Sequence, residues 1–284
     1  MKLIRFGPSG HERPGILDDQ NRRRDCSGGF ADWDRAFFHN DGLRQLADWL
    51  PAHLADLPVL PDNIRHGPPI ARPGKVICIG LNYRDHAAES NLPMPAEPLI
   101  FLKAPNTVVG PYDDLLLPRG GDKVDWEVEL GVVIGTEARY LPSVDAARNH
   151  IAGYCISHDV SERGFQFERG GQWTKGKSCD SFNPIGPWLS TAADLPDPMK
   201  LTMSLDVNGQ RKQTGATSTM AFGPAFLVHY LSRFMTLESG DLITTGTPPG
   251  VGFARKPPEF LVEGDVVELR IEGLGTQRQT CRQG

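Results

Sequence analysis

The 284-residue chain contains no apolar run approaching the roughly 20 residues that a membrane-spanning helix needs. A membrane partner is therefore not expected. Basic charge is not in excess either: 30 Lys and Arg against 35 Asp and Glu leave a net charge of −5. That balance offers no electrostatic footprint for nucleic acid. Cysteine is sparse, and the five present (Cys26, Cys78, Cys155, Cys179 and Cys281) are scattered, odd in number and free of any C-x-x-C pair. Neither a zinc site nor a disulfide framework is indicated, and reduced thiols in a cytoplasmic protein are expected. The opening "MKLIRFGPSGHERPG" lacks the apolar centre of a secretory signal.

What the chain has in quantity is turn-forming residues: 31 Gly and 24 Pro. They predict many turns and short strands rather than a helical bundle. "KLIRFG", "PGILDD" and "RRRDCSG" read as strands of a small β-rich module. "FFHNDGLRQLADWL" follows with Leu43, Leu46, Ala47 and Leu50 at helical spacing. The Pro- and Gly-dense stretch 61–75 is the best linker candidate, which predicts a small domain over 1–70 and a larger one over 71–284. Beyond it, "KVICIGL", "EVELGVVIG", "HIAGYCISHD", "LTMSLDVNGQ", "GDLITTG" and "GDVVELRIEG" read as strands. "AFGPAFLVHYLSRFM" reads as a helix with Phe226, Leu227, Tyr230, Leu231 and Phe234 on its apolar face. The expected class is β-rich α+β.

From Gly171 to Ser178 the chain spells G-x-x-x-x-G-K-S, the pattern of a phosphate-binding P-loop. A true P-loop follows a buried strand and opens a helix, whose N-terminal amides hold the phosphates. Here the preceding "SERGFQFERGG" is charged. The following "CDSFNPIGPW" carries Pro184 and Pro187, which oppose a helix. Nucleotide binding is not expected, and Lys177 needs another explanation.

"KVDWEVELGVVIG" supplies a row of acids. On a strand, Asp125, Glu127 and Glu129 share one face. Side-by-side carboxylates are costly to bury unless a cation neutralises them, whereas an exposed edge strand would carry them freely. Asp159, at the end of the apolar run "GYCISHD", is a third acid placed where oxygen ligands are often presented. Two glutamates and an aspartate with no soft ligand suit a hard cation, Mg²⁺ or Mn²⁺. His86 and Glu89 in "GLNYRDHAAES" are three apart and share a face if a helix begins near Asn82. A carboxylate beside an imidazole suits activation of a water, though such a pair is also common on plain helix surfaces.

Taken in order, "CIGLNYRDHAAE", "EPLIFLKAPNTVVGP", "DWEVELGVVIG", "GYCISHDVSERGFQ", "KGKSCDSFNPIGPWL", "TTGTPPGVG" and "LVEGDVVELRIEGLGT" resemble the fumarylacetoacetate hydrolase family over about residues 72–280. The resemblance implies a mixed β-sandwich roll that works as a homodimer. It implies a divalent metal on Glu127, Glu129 and Asp159, and a water-activating His86–Glu89 pair on a mobile lid. Lys177 would contact substrate near the metal, which makes the P-loop spelling accidental. Arg163, Gln166 and Thr247 would also contact substrate, and Lys103 would be a structural or near-site lysine. Cys179 departs from relatives, which often carry Phe there. The implied reaction is hydrolysis of a 2,4-diketo acid to pyruvate and a carboxylic acid. The N-terminal stretch looks most like enzymes acting on 2,4-diketo-3-deoxy sugar acids from L-rhamnonate or L-fuconate. Oxaloacetate decarboxylase, acylpyruvase, ureidoglycolate lyase and hydroxymuconate isomerase activities belong to the same family.

Overall fold

The structure, a computed structural model, describes residues 1–89, 93–195 and 197–284. Its backbone is dominated by two sheets. The larger is eleven-stranded, and its main path runs Arg23–Asp25, Arg13–Leu17, Lys2–Phe6, Asn183–Thr191, Ile151–His158, Val128–Ile134, Leu242–Thr244, Val76–Gly80 and Leu99–Lys103. The second is five-stranded and is ordered Gln210–Ala216, Thr202–Val207, Val266–Ile271, Gly275–Gln283 and Leu115–Leu117. Every residue of the central Val128–Ile134 and Ile151–His158 strands is buried. This is why both read as nearly unbroken apolar runs rather than as alternating ones. Val128, Leu130, Val132, Tyr154 and Ile156 share one core with Leu205, Val267, Leu269 and Ile271 of the smaller sheet.

The N-terminal strands extend the large sheet. Lys2 and Leu3 pair antiparallel with Ser190 and Leu189. Leu3, Ile16, Trp33, Leu46 and Leu50 pack with Val76, Cys78, Val133 and Leu242 in a second core. Residues on either side of position 70 therefore share a sheet and a core.

Helices are short. Gly42–His53 is the longest among the described residues and carries Leu43, Leu46, Ala47 and Leu50, of which Leu46 and Leu50 are buried and Ala47 is exposed. The helix expected over "AFGPAFLVHYLSRFM" forms only across Pro224–Leu231. Leu227, Val228 and Leu231 face the core, while Phe234, expected on the apolar face, lies past the helix end and is 59% exposed. All five cysteines are free, and no described helix is long and apolar enough to cross a membrane.

Candidate active site

Strand register builds the site. Val128 pairs with His158 and Glu129 with Ser157 across two antiparallel strands. The next step outward sets Glu127 beside Asp159, and the Asp159 N–H donates to the Glu127 carbonyl at 3.0 Å. On the other flank Gly131 pairs with Thr244. The chain leaving that strand brings the Gly246 N–H to Glu129 Oε2 at 2.8 Å. Carboxylate oxygens of Glu127, Glu129 and Asp159 consequently lie within 4.8 Å of one another, all buried.

Asp125 does not join them, contrary to the expected shared face. The strand is interrupted: Val124–Asp125 pairs with Ser161–Glu162, and the long strand starts only at Val128. Asp125 instead accepts from the backbone N–H groups of Gly252 (2.7 Å) and Phe253 (3.0 Å), and from Arg163 Nε (2.8 Å). Arg163 bridges onward to Glu127 Oε1 at 2.6 Å and to Gln166 Oε1 at 3.0 Å. Its guanidinium is thus spent on the protein. Thr247 is committed too: its hydroxyl donates to the Val128 carbonyl (2.9 Å) and accepts from Gln213 Nε2 (2.8 Å). Gln213 also caps the Val128 N–H at 2.9 Å. No sequence signal marked its part.

Two lysines enter the acid cluster from different sides. Lys177 donates to Glu127 Oε2 (3.0 Å) and Asp159 Oδ2 (2.9 Å) and lies 5.1 Å from the centre of the Phe101 ring. Lys103 donates to the other Asp159 oxygen and to the carbonyls of Val160 (3.0 Å) and Phe182 (2.7 Å). The P-loop spelling finds its local explanation here. The segment follows the helical turn Arg163–Phe167 rather than a strand, and its own helix is only Thr174–Lys177. A Cβ on Gly176 would lie 2.3 Å from the Glu162 carbonyl and 2.6 Å from the Gln166 nitrogen. The glycine lets two backbones touch, and that contact delivers Lys177 to the acids.

The charges do not balance. Asp125, Glu127, Glu129 and Asp159 are buried against three buried cations, Lys103, Arg163 and Lys177, which leaves one negative charge over. Burial raises the Glu127 pKa, but the charges and hydrogen bonds of Lys177 and Arg163 outweigh it and hold the group below its ordinary range. Glu129 goes the other way. Burial, then the charges of Asp159 and Glu127, push it well above the ordinary carboxyl range. Burial lowers the Lys177 pKa, yet Asp159 and Glu127 more than compensate, so its ammonium stays charged. A buried carboxylate without its own ion pair, beside two others, is the electrostatic condition a hard divalent cation relieves. The all-oxygen donor set fits such an ion.

The trio and Lys177 open on one cavity of about 380 Å³, which His86, Glu89, Arg163, Gln166 and Thr247 also line. His86 and Glu89 lie on the expected short helix, Arg84–Glu89. The imidazole Nδ1 is 3.1 Å from Glu89 Oε2. Glu89 also accepts from the Gly250 N–H at 3.0 Å, which ties this helix to the loop that carries Gly246 and Thr247. Burial raises the Glu89 pKa, but the hydrogen bonds from His86 and Gly250 lower it further than burial lifts it. Local sequence features pointed to Glu127, Glu129, Asp159, His86 and Glu89, and the family resemblance named Lys177, Arg163, Gln166 and Thr247; all nine line this cavity. Sequence reading missed the rest of the lining, notably Phe101, Phe167, Trp173 and Phe253, because aromatics without periodicity carry no signal of a shared wall.

Known proteins resemble this chain over its whole length. A "Putative hydrolase" of Burkholderia ambifaria is 52% identical over 99% of both chains. Among solved structures, maleylpyruvate hydrolase from Sphingobium sp. SYK-6, in complex with manganese(II) and pyruvate, is 27% identical with a TM-score of 0.82 over the whole of both chains. A 5-carboxymethyl-2-hydroxymuconate delta-isomerase from Mycobacterium smegmatis is 31% identical with a TM-score of 0.78, covering 100% of this chain and 99% of that one. Residues 75–282 match the fumarylacetoacetate (FAA) hydrolase C-terminal family, and the chain belongs to that family of hydrolases and isomerases.

Proposed function

We propose that the protein hydrolyses a carbon–carbon bond of a 2,4-diketo acid, giving pyruvate and a carboxylic acid, with Glu127, Glu129 and Asp159 holding Mg²⁺ or Mn²⁺. The observation that carries this reading is the buried acid trio, one negative charge in excess, which shares a cavity with the His86–Glu89 pair and the Lys177 ammonium. A bound divalent ion supplies Lewis-acid polarisation of the substrate's keto and carboxylate oxygens.

The chain's own groups supply the proton transfers. A carboxylate facing Nδ1 keeps the imidazole proton on that nitrogen, so Nε2 of His86 is the free base. Nε2 takes a proton from water, and the resulting hydroxide adds to the 4-carbonyl. The bond between carbons 3 and 4 breaks, and carbon 3 leaves as the enolate of pyruvate. Lys177 stabilises that developing charge without having to move. The imidazolium then returns its proton to carbon 3. Water's atoms end in the two products, and His86 is regenerated.

Hydrolysis is distinguished from the family's isomerase and decarboxylase chemistry by its need for an attacking water. The test is pyruvate release from a panel of 2,4-diketo acids and oxaloacetate, assayed with chelator and then with added Mg²⁺ or Mn²⁺. The panel includes the 3-deoxy sugar acid suggested by the N-terminal sequence. Metal-dependent pyruvate release that is lost in His86→Ala supports hydrolysis. Turnover of oxaloacetate alone, surviving that substitution, makes the enzyme a decarboxylase.

A further inference from the structure

Two kinds of wall divide the cavity. The polar groups gather at the acid trio, and two of them, Arg163 and Thr247, are already committed to protein partners. From the trio outward the lining becomes aromatic in a continuous series. Phe101 lies under the Lys177 ammonium and meets Trp173 edge-on at 5.3 Å between ring centres. Trp173 meets Phe167 at 5.9 Å, and Phe167 meets Phe253 at 5.5 Å. Ile79, Leu81 and Val251 complete this part of the lining. Phe167 and Phe253 remain 43% and 49% exposed at the mouth. Apolar rings held half in water around a concave site are a recurring mark of a ligand surface.

We propose that this wall selects 2,4-diketo acids whose acyl substituent is apolar and flat, such as an aryl group, over acids with a hydroxylated tail. The inference rests on the reading of the trio end as the site of the diketo acid head. With the head there, the apolar route outward among the described residues runs along Phe101, Trp173, Phe167 and Phe253. A ring gains dispersion and edge-to-face contact with that surface. A polyhydroxylated tail would lose water from each hydroxyl and find few free partners among the described residues. Discrimination by apolar contact of this size is about tenfold or more in kcat/KM.

The test holds the head constant and changes the tail. Three acids of the form R–CO–CH₂–CO–COO⁻, with R methyl, phenyl or 1,2-dihydroxyethyl, are compared by kcat/KM with saturating Mn²⁺. The phenyl acid is expected to exceed the dihydroxyethyl acid at least about tenfold. Phe253→Ser and Phe167→Ser, each at a half-exposed position, should bring that ratio toward one while the thermal midpoint stays unchanged. A flat ratio, or a preference for the dihydroxyethyl acid, overturns the inference and leaves hydrolysis standing. Binding is measured separately with 2-oxo-4-phenylbutanoate and 2-oxobutanoate, which have no 4-carbonyl to attack. If no acid is cleaved but the phenyl compound binds about tenfold tighter, hydrolysis fails and the wall keeps its role. Equal affinity of the two compounds removes the wall's role.

Discussion

Lys177 and Lys103 both reach Asp159, yet replacing them should have opposite consequences. Lys177→Met removes two charge-assisted hydrogen bonds, to Glu127 and Asp159. Deleting one partner of a buried pair costs about 3–5 kcal/mol. The low end, about 3 kcal/mol, applies here, because Glu127 keeps Arg163 and Asp159 keeps Lys103. A divalent ion on the same carboxylates would replace the missing positive charge. At one free Mn²⁺ concentration far above Kd for both proteins, the variant should gain about 2 kcal/mol more than wild type, which corresponds to binding the ion about 30-fold tighter. The deficit in urea unfolding should therefore shrink to below about 1 kcal/mol. Turnover should still fall about 10²- to 10³-fold, the usual loss of a preorganised charge stabiliser. Lys103→Met is the contrast. Its ammonium also satisfies two buried carbonyls, those of Val160 and Phe182. The Val160 carbonyl is then orphaned, which adds about 1–3 kcal/mol that no ion can restore, whereas the Phe182 carbonyl keeps the Val160 N–H at 3.1 Å. If Mn²⁺ rescues the Lys103 variant and not the Lys177 variant, the assignment of strut and charge stabiliser is reversed. Full activity of metal-loaded Lys177→Met would end the catalytic role of that lysine.

Three further outcomes are expected. His86→Gln should lower kcat on a 2,4-diketo acid about 10²- to 10⁴-fold while Mn²⁺ affinity in calorimetry changes little, and a parallel loss of both would make His86 part of the metal site instead. Glu129 has a folded-state pKa raised above its unfolded value by burial and by Asp159 and Glu127. Its contribution to stability is therefore fully present below the unfolded pKa and is lost as pH rises through the folded one. Metal-free Glu129→Gln should lack that loss and resist urea better than wild type at neutral pH, while binding Mn²⁺ far more weakly; equal urea midpoints would mean that Glu129 is not an uncompensated charge. Gly176→Ala forces a methyl against the Glu162 carbonyl and the Gln166 nitrogen, so it should cost about 1–3 kcal/mol by overpacking and reduce turnover by shifting Lys177. A wild-type melting curve and rate would show that the contact is looser than described.

The parts of this molecule that were readable from sequence are those whose information is local. The apolar runs at Val128–Ile134 and Ile151–His158 announce buried strands, and both form. The three-residue spacing of His86 and Glu89 announces a shared helix face, and the two side chains meet. The family resemblance added the grouping of Glu127, Glu129 and Asp159, which no local rule could supply. What was not readable depends on interruptions. Asn183–Thr191 reads as a broken stretch because of Pro184 and Pro187, yet it is a central strand. Its pairing with Ile151–His158 shifts register between Tyr154 and Ile156. Gln277 Nε2 reaches the carbonyls of Ile156 (2.8 Å) and Gly186 (3.1 Å) there. A side chain about ninety residues away thus supplies donors where the ladder is irregular. Asp125 departs from its expected place for a related reason: strand alternation predicts one face through Trp126 and Glu127, but the strand is broken between Asp125 and Val128.

That break has a chemical consequence. A continuous strand would set Asp125, Glu127 and Glu129 in a row, with three like charges on one face and no nearby cation to separate them. Because the chain departs from strand geometry before Val128, Asp125 turns to the amides of Gly252 and Phe253 and to Arg163. It becomes the anchor of the guanidinium that neutralises Glu127 from the side opposite Lys177. Asp159 is balanced in the same two-sided way by Lys103 and Lys177. Only Glu129 is left with a backbone N–H alone. The excess negative charge is thereby confined to one carboxylate at the wall of the cavity. In the absence of an ion, burial and the charges of Asp159 and Glu127 favour the protonated form of this one group, and a divalent ion held by the trio would favour its release of that proton.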